Sequence, residues 1–118
     1  MPESMKPVVQ FRLRIRKGPH VAIGPGKIDL LEAISHRGSI TAAAKSLDMS
    51  YRRAWVLVDE MNRYMRRPVI ATATGGVNGG GAQLTPTGLE IVTRYRAIQA
   101  QAHAAVTDEL KRLLRQLA

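Results

Sequence analysis

From Leu47 to Met61 the chain reads LDMSYRRAWVLVDEM. Asp48-Met49-Ser50 interrupts a helical pattern, and Ser50 is placed to cap a new helix whose first turn holds Tyr51, Arg52 and Arg53. Behind them Ala54, Val58, Met61 and Met65 recur at spacings of four, three and four, which makes one apolar stripe. Upstream, Ser39 to Leu47 (SITAAAKSL) reads as a short alanine-rich helix, with Ser39 or Thr41 as its cap and small residues where a second helix must cross closely. Two short helices joined by three or four residues have the spacing of a helix-turn-helix, in which the second helix enters the major groove N-terminus first. Only the early side chains of such a helix reach base edges and nearby phosphates. A basic amphipathic helix on an ordinary protein surface gives part of the same pattern.

The next informative stretch is TGGVNGGGAQLTPTG, Thr74 to Gly88. Arg66-Arg67-Pro68 ends the preceding helix, because proline disfavours helical geometry in the residue before it. Val69 to Ala73 is then a β-rich run, five of the eight residues from Thr74 to Gly81 are glycine, and Ala82-Gln83-Leu84 is extended again. Strand, glycine loop and strand predict a hairpin, the wing of a winged helix. The glycines do not make a Walker loop, which needs Lys followed by Ser or Thr, nor a dinucleotide fingerprint, which needs a helix opening from them. What remains is either a hairpin tip whose bare N–H groups approach a phosphate or the minor groove, or a loop that touches nothing.

Residues 1–7 are polar with two prolines and are expected to be a disordered tail. Phe11, Leu13 and Ile15 alternate with Arg12, Arg14 and Arg16, the period of a half-buried strand whose other face is basic. Those arginines are either a solvated face or phosphate contacts. Gly18-Pro19 and Gly24-Pro25-Gly26 mark a loop, and from Lys27 a helix carries Ile28, Leu30, Leu31 and Ile34 to a stop at Gly38.

Thr85-Pro86 opens the last element as cap and first helical residue. Ile91, Tyr95, Ile98 and Ala102 follow at spacings of four, three and four, and after a shift at Ala105-Val106 the stripe continues through Leu110, Leu113 and Leu117. One helix from 86 to about 115 would extend about 45 Å, longer than the small domain before it. Either it folds back on that domain, or its far half packs on the same helix of a second subunit. The dimer reading assigns Ile91, Tyr95, Ile98, Ala102, Val106, Leu110 and Leu113 to the interface, with the winged domain over 8–85 and the dimerisation helix over 86–118.

Composition bounds the function. The chain has 118 residues, one domain's length, and 45% hydrophobic content is enough to build a core. Eighteen Lys and Arg against nine Asp and Glu give a net charge of +9, which favours a polyanion as partner. No apolar run approaches the roughly 18 residues of a membrane span and no signal-peptide pattern follows the first Met, so the expected location is cytoplasmic, with no membrane partner. There is no cysteine, and His20, His36 and His103 are far apart with no carboxylate at ligand spacing, so no metal site and no catalysis are expected.

Together these residues resemble the N-terminal DNA-binding domain of the ModE family of molybdate-responsive transcriptional regulators, a relative of the LysR-type winged helix. The likeness runs from Ile28 to about Leu117, and its most specific parts are MSYRRAWVLVDEMN and ATGGVNGGGAQLT. It implies a mostly α winged helix-turn-helix dimer with a long C-terminal dimerisation helix, bound to inverted-repeat operators in double-stranded DNA. On the matching positions Ser50, Tyr51, Arg52, Arg53 and Trp55 would face DNA, with Thr74, Gly75, Gly76, Asn78 and Gly79 of the wing against the backbone. Thr41 and Lys45 on the preceding helix complete the candidate DNA contacts. Arg52 and Arg53 are suited either to guanine O6/N7 or to phosphate, and Trp55, beside the apolar stripe, reads slightly better as partly core than as a base contact. Relatives can carry a lysine in the wing where this chain has Val77-Asn78, and the molybdate-binding domains of full-length regulators have no counterpart before Ala118, so no cofactor is expected. The rival functions are a non-specific nucleoid or RNA-binding protein and an adaptor that forms heterodimers through its long helix.

Overall fold

The computed structural model describes residues 5–73 and 81–118. Its elements are β1 (Ile15–Lys17), β2 (His20–Ile23), α1 (Pro25–Arg37), α2 (Ile40–Ser46), α3 (Tyr51–Tyr64), β3 (Ile70–Ala73), β4 (Gly81–Leu84), α4 (Pro86–Ala105) and α5 (Thr107–Leu114). Two antiparallel pairs, β1 with β2 and β3 with β4, stand apart as separate two-stranded sheets. The result is a mostly α winged helix-turn-helix.

Helix boundaries follow local chemistry. Ser39 Oγ accepts from Ala42 N–H at 3.1 Å, which settles the choice between Ser39 and Thr41 as cap of α2. Ser50 Oγ accepts from Arg53 N–H at 3.0 Å and starts α3. Thr85 Oγ1 accepts from Gly88 N–H at 3.1 Å and starts α4, with Pro86 at its first position. Gly38 takes the left-handed conformation, φ 77°, that closes α1. In the turn between α2 and α3, Asp48 has φ 53°, and Met49 N–H reaches back to Ala44 O at 2.9 Å. A short polar side chain tolerates that conformation better than a branched one.

The core lies where α1, α2 and α3 meet. Ile28, Leu30, Leu31 and Ile34 of α1, Ile40, Ala43 and Ala44 of α2, and Ala54, Leu57, Val58 and Met61 of α3 are all buried, joined by Val69, Ile70, Ala82, Val92 and Tyr95. Each buried large aliphatic side chain contributes roughly 1.5–3 kcal/mol. The alanines of α2 allow the close crossing that the sequence implies.

Four expectations need correction. The strand foreseen across 11–16 is confined to Ile15–Lys17, and Ile15 is exposed. Phe11 and Leu13 do face inward, but as an extended segment held along α4: Tyr95 OH donates to Leu13 O at 2.8 Å and Gln99 Nε2 to Phe11 O at 2.7 Å. The partner of β1 is β2, formed in a stretch the sequence marked as loop, and α1 begins at Pro25 rather than Lys27. Finally, the long terminal helix breaks at Val106, φ −117° and ψ 18°. Thr107 Oγ1 donates to His103 O and Ala104 O, both at 3.2 Å, so a side chain takes up carbonyls at the end of α4. The break coincides with the shift in the apolar stripe. Beyond Gln99 no residue is buried.

Candidate nucleic-acid interface

Helix α3 is held from below and left open at its leading end. Its apolar stripe is buried as read, with Leu57 added and Met65 half-buried against the core. Above the Ser50 cap, Tyr51, Arg52 and Arg53 are all exposed, Tyr51 at 55%. Trp55 is 38% exposed and meets Tyr51 edge-on, with ring centroids 6.2 Å apart. Trp55 is thus partly covered and partly open: it lies one position round from buried Ala54, on the flank of the stripe, and its cover includes another exposed ring. Thr41 and Lys45 are exposed on α2. Among the described residues no carboxylate pairs with Arg52, Arg53 or Lys45, whereas Lys27, Arg63, Arg94 and Arg96 each have an acidic partner. Arg52, Arg53 and Lys45 are thus open to an external anion.

At about 100° per residue, the sides of α3 separate by role. Arg52, Val56, Asp59 and Arg63 point outward, opposite the buried stripe. Tyr51, Trp55 and Asn62 lie on one flank; Arg53, Glu60 and Tyr64 lie on the other. Each flank is fastened to a hairpin. Asn62 Oδ1 accepts from Val69 N–H at 2.8 Å and Ile70 N–H at 3.3 Å, fixing the start of β3 to α3. Ala82 N–H donates to Gly38 O at 2.9 Å, tying β4 to the end of α1. The wing base is therefore rigidly placed, while Thr74, Gly75, Gly76, Asn78 and Gly79 lie outside the described residues.

On the other flank, Lys27 is the buried charged residue of the described chain. Its Nζ donates to Val21 O of β2, lies 3.1 Å from Glu60 Oε2, and sits 5.5 Å from the Tyr64 ring centroid. His20 stacks on Tyr64 with centroids 5.3 Å apart. These contacts join β2, α1 and α3, and nothing in the sequence pattern singled out Lys27 or Asn62. Arg96 on α4 was likewise missed. It donates through Nε to Glu32 Oε2 at 3.0 Å and through Nη2 to Glu32 Oε1 and Asp29, clamping α4 to α1. The Arg96 hydrogen bond holds the Glu32 carboxyl below its ordinary pKa of 4.5, against the opposing effect of burial and with help from the Arg96 and His36 charges.

The residues assigned to dimerisation divide in two. Tyr95 is 3% exposed in the core of its own chain, and Ile91 packs against the same core. Ile98 and Leu113 are 48% and 68% exposed, with Ala102, Val106 and Leu110 half-exposed between them. An apolar stripe thus continues past the end of the core, exposed or half-exposed among the described residues.

The fold and exposed helix define a winged helix-turn-helix protein. No protein-family model matches the chain. It is 41% identical over 92 residues to the molybdenum transport protein ModE of Azotobacter vinelandii, covering 78% of this chain and 34% of that one. It is 45% identical over 78 residues to the molybdenum-pterin-binding protein MopB of Rhodobacter capsulatus, covering 66% and 29%. It is 38% identical over 88 residues to the DNA-binding transcriptional dual regulator ModE of Escherichia coli K12, covering 72% and 34%. Over most of its length the chain is a homologue of the ModE regulators, and it spans about a third of the length of the curated relatives it matches. Among solved structures it is similar to a mutant of S. aureus MepR, at 20% identity and a TM-score of 0.45 over 79% of this chain and 62% of that one, a likeness too loose to carry an argument.

Proposed function

We propose that the chain is the DNA-reading part of a transcriptional regulator that acts as a dimer on an inverted-repeat operator. The observation that carries this reading is the capped N-terminus of α3, where Tyr51, Arg52, Arg53 and Trp55 emerge exposed and without acidic partners. Two such helices enter successive major grooves about 34 Å apart, while Arg and backbone N–H contacts to phosphate fix the register. The dimer is supported by the apolar stripe from Ile98 to Leu113, which lies beyond the core of its own domain. Blocking a promoter requires no further surface, which makes repression the simplest sign of control. The chain itself takes no molybdate in this reading; DNA occupancy is its activity.

Selection of bound fragments from genomic DNA, with and without molybdate, tests the proposal. The expected outcome is a shared inverted repeat with half-sites about 10 bp apart, the same under both conditions. Recovery of fragments with no common sequence would instead support non-specific nucleic-acid binding.

A further inference from the structure

We infer that the β1–β2 hairpin is a second wing, whose Arg14 and Arg16 grip backbone phosphates of the DNA on the side of α3 opposite the β3–β4 hairpin. This rests on the DNA-reading role proposed above and adds a binding surface to it. Arg14 and Arg53 line one open groove of about 370 Å³ between the hairpin and α3, with His20 and Glu60 also in its wall. Arg53 and Asn62 are nine positions apart on α3, so at about 100° per residue they lie half a turn round from each other. Asn62 faces the β3–β4 base and Arg53 faces β1–β2. The two hairpins therefore lie on opposite flanks of α3.

The hairpin moves with the helix because Lys27 links Val21 of β2 to Glu60 of α3, and His20 stacks on Tyr64. A phosphate contact needs such a fixed position if it is to set register. Arg14, Arg16 and Lys17 are all exposed, and among the described residues none of them pairs with a carboxylate. The Arg14 stem packs over Gly24, where an added Cβ would lie 3.6 Å from Arg14 Cγ, which leaves the guanidinium at the groove. Cations on a hairpin that presents no base-reading helix favour phosphate over base contact.

The test compares full chains in binding to two duplexes: the tightest one recovered by the unaltered protein from a random-sequence pool, and an unselected one. Arg14→Gln with Arg16→Gln keeps the apolar stems and removes both charges. We expect affinity about tenfold or more weaker at 0.1 M salt on both duplexes, and a salt dependence shallower by about 0.9 in log–log slope for every phosphate no longer neutralised. Arg14→Lys with Arg16→Lys should restore most of the slope. Arg112→Gln with Arg115→Gln lowers net charge equally but lies on the terminal helix and its end, so it should leave the slope near that of the unaltered chain. An unchanged slope in the hairpin variant, or one no different from the α5 variant, would overturn the second wing while the unaltered protein still bound DNA. Absence of salt-dependent binding by the unaltered protein would overturn the DNA reading itself, and this inference with it.

Discussion

Lys27 Nζ lies 3.1 Å from Glu60 Oε2, and the lysine side chain is 8% exposed while that of the glutamate is 30% exposed. The pair spans α1 and α3, and the same ammonium also donates to Val21 O, so one side chain fixes the reading helix to the hairpin beside it. Replacing Lys27 with Met keeps the stem and leaves two acceptors unpartnered. Loss of about 1–3 kcal/mol of stability in urea unfolding is expected, at the lower end if water reaches the half-open glutamate. Stability equal to that of the unaltered chain would show that Lys27 is a passenger.

Gly88 sits where the first turn of α4 crosses the backbone before β3. A Cβ there would overlap the Val69 carbonyl oxygen and lie 3.1 Å from the carbonyl carbon. Elsewhere in a helix Gly→Ala is stabilising by about 1 kcal/mol. Here the sign should reverse, with Gly88→Ala costing about 2–4 kcal/mol because the obstacle is backbone and cannot rotate away. Thermal unfolding of the variant decides between the two signs.

Acid should loosen the junction of α1 and α4. The Glu32 carboxyl is held below its ordinary pKa of 4.5, first by the hydrogen bond from Arg96. A depressed folded-state pKa means stability that is fully present above the unfolded value and lost as pH falls through the folded one. Arg96, raised further above its already high value, stays charged throughout. Unfolding measured from pH 7 downward should therefore show a component lost below about pH 4.3. Glu32→Gln should remove that component and flatten the acid limb, at a cost near neutrality of about 1 kcal/mol for a partly exposed bidentate pair. An acid limb unaltered by the substitution would contradict this.

Helix starts and stops were legible because their signals are local: Ser50 and Thr85 cap, Pro86 follows a cap, and Gly38 takes the conformation a helix stop requires. The buried stripe of α3 was legible for the same reason, since periodicity needs no partner to be read. What escaped depends on distant pairing. β2 is four residues long and flanked by glycine and proline, so only its pairing with β1 makes it a strand. Lys27 and Glu60 are 33 positions apart, and a lysine at the start of a helix looks solvated until its partners are known. The break at Val106 showed only as a phase shift in the stripe.

Competition binding tests the central claim most directly, with the full chain titrated onto its selected duplex against unselected DNA at fixed salt. A sequence-reading α3 predicts a preference of about 10³-fold or more. Arg52→Ala should shrink that ratio if the guanidinium meets a base, or weaken both duplexes alike if it holds a phosphate. Equal affinity of the unaltered protein for both duplexes would contradict the account.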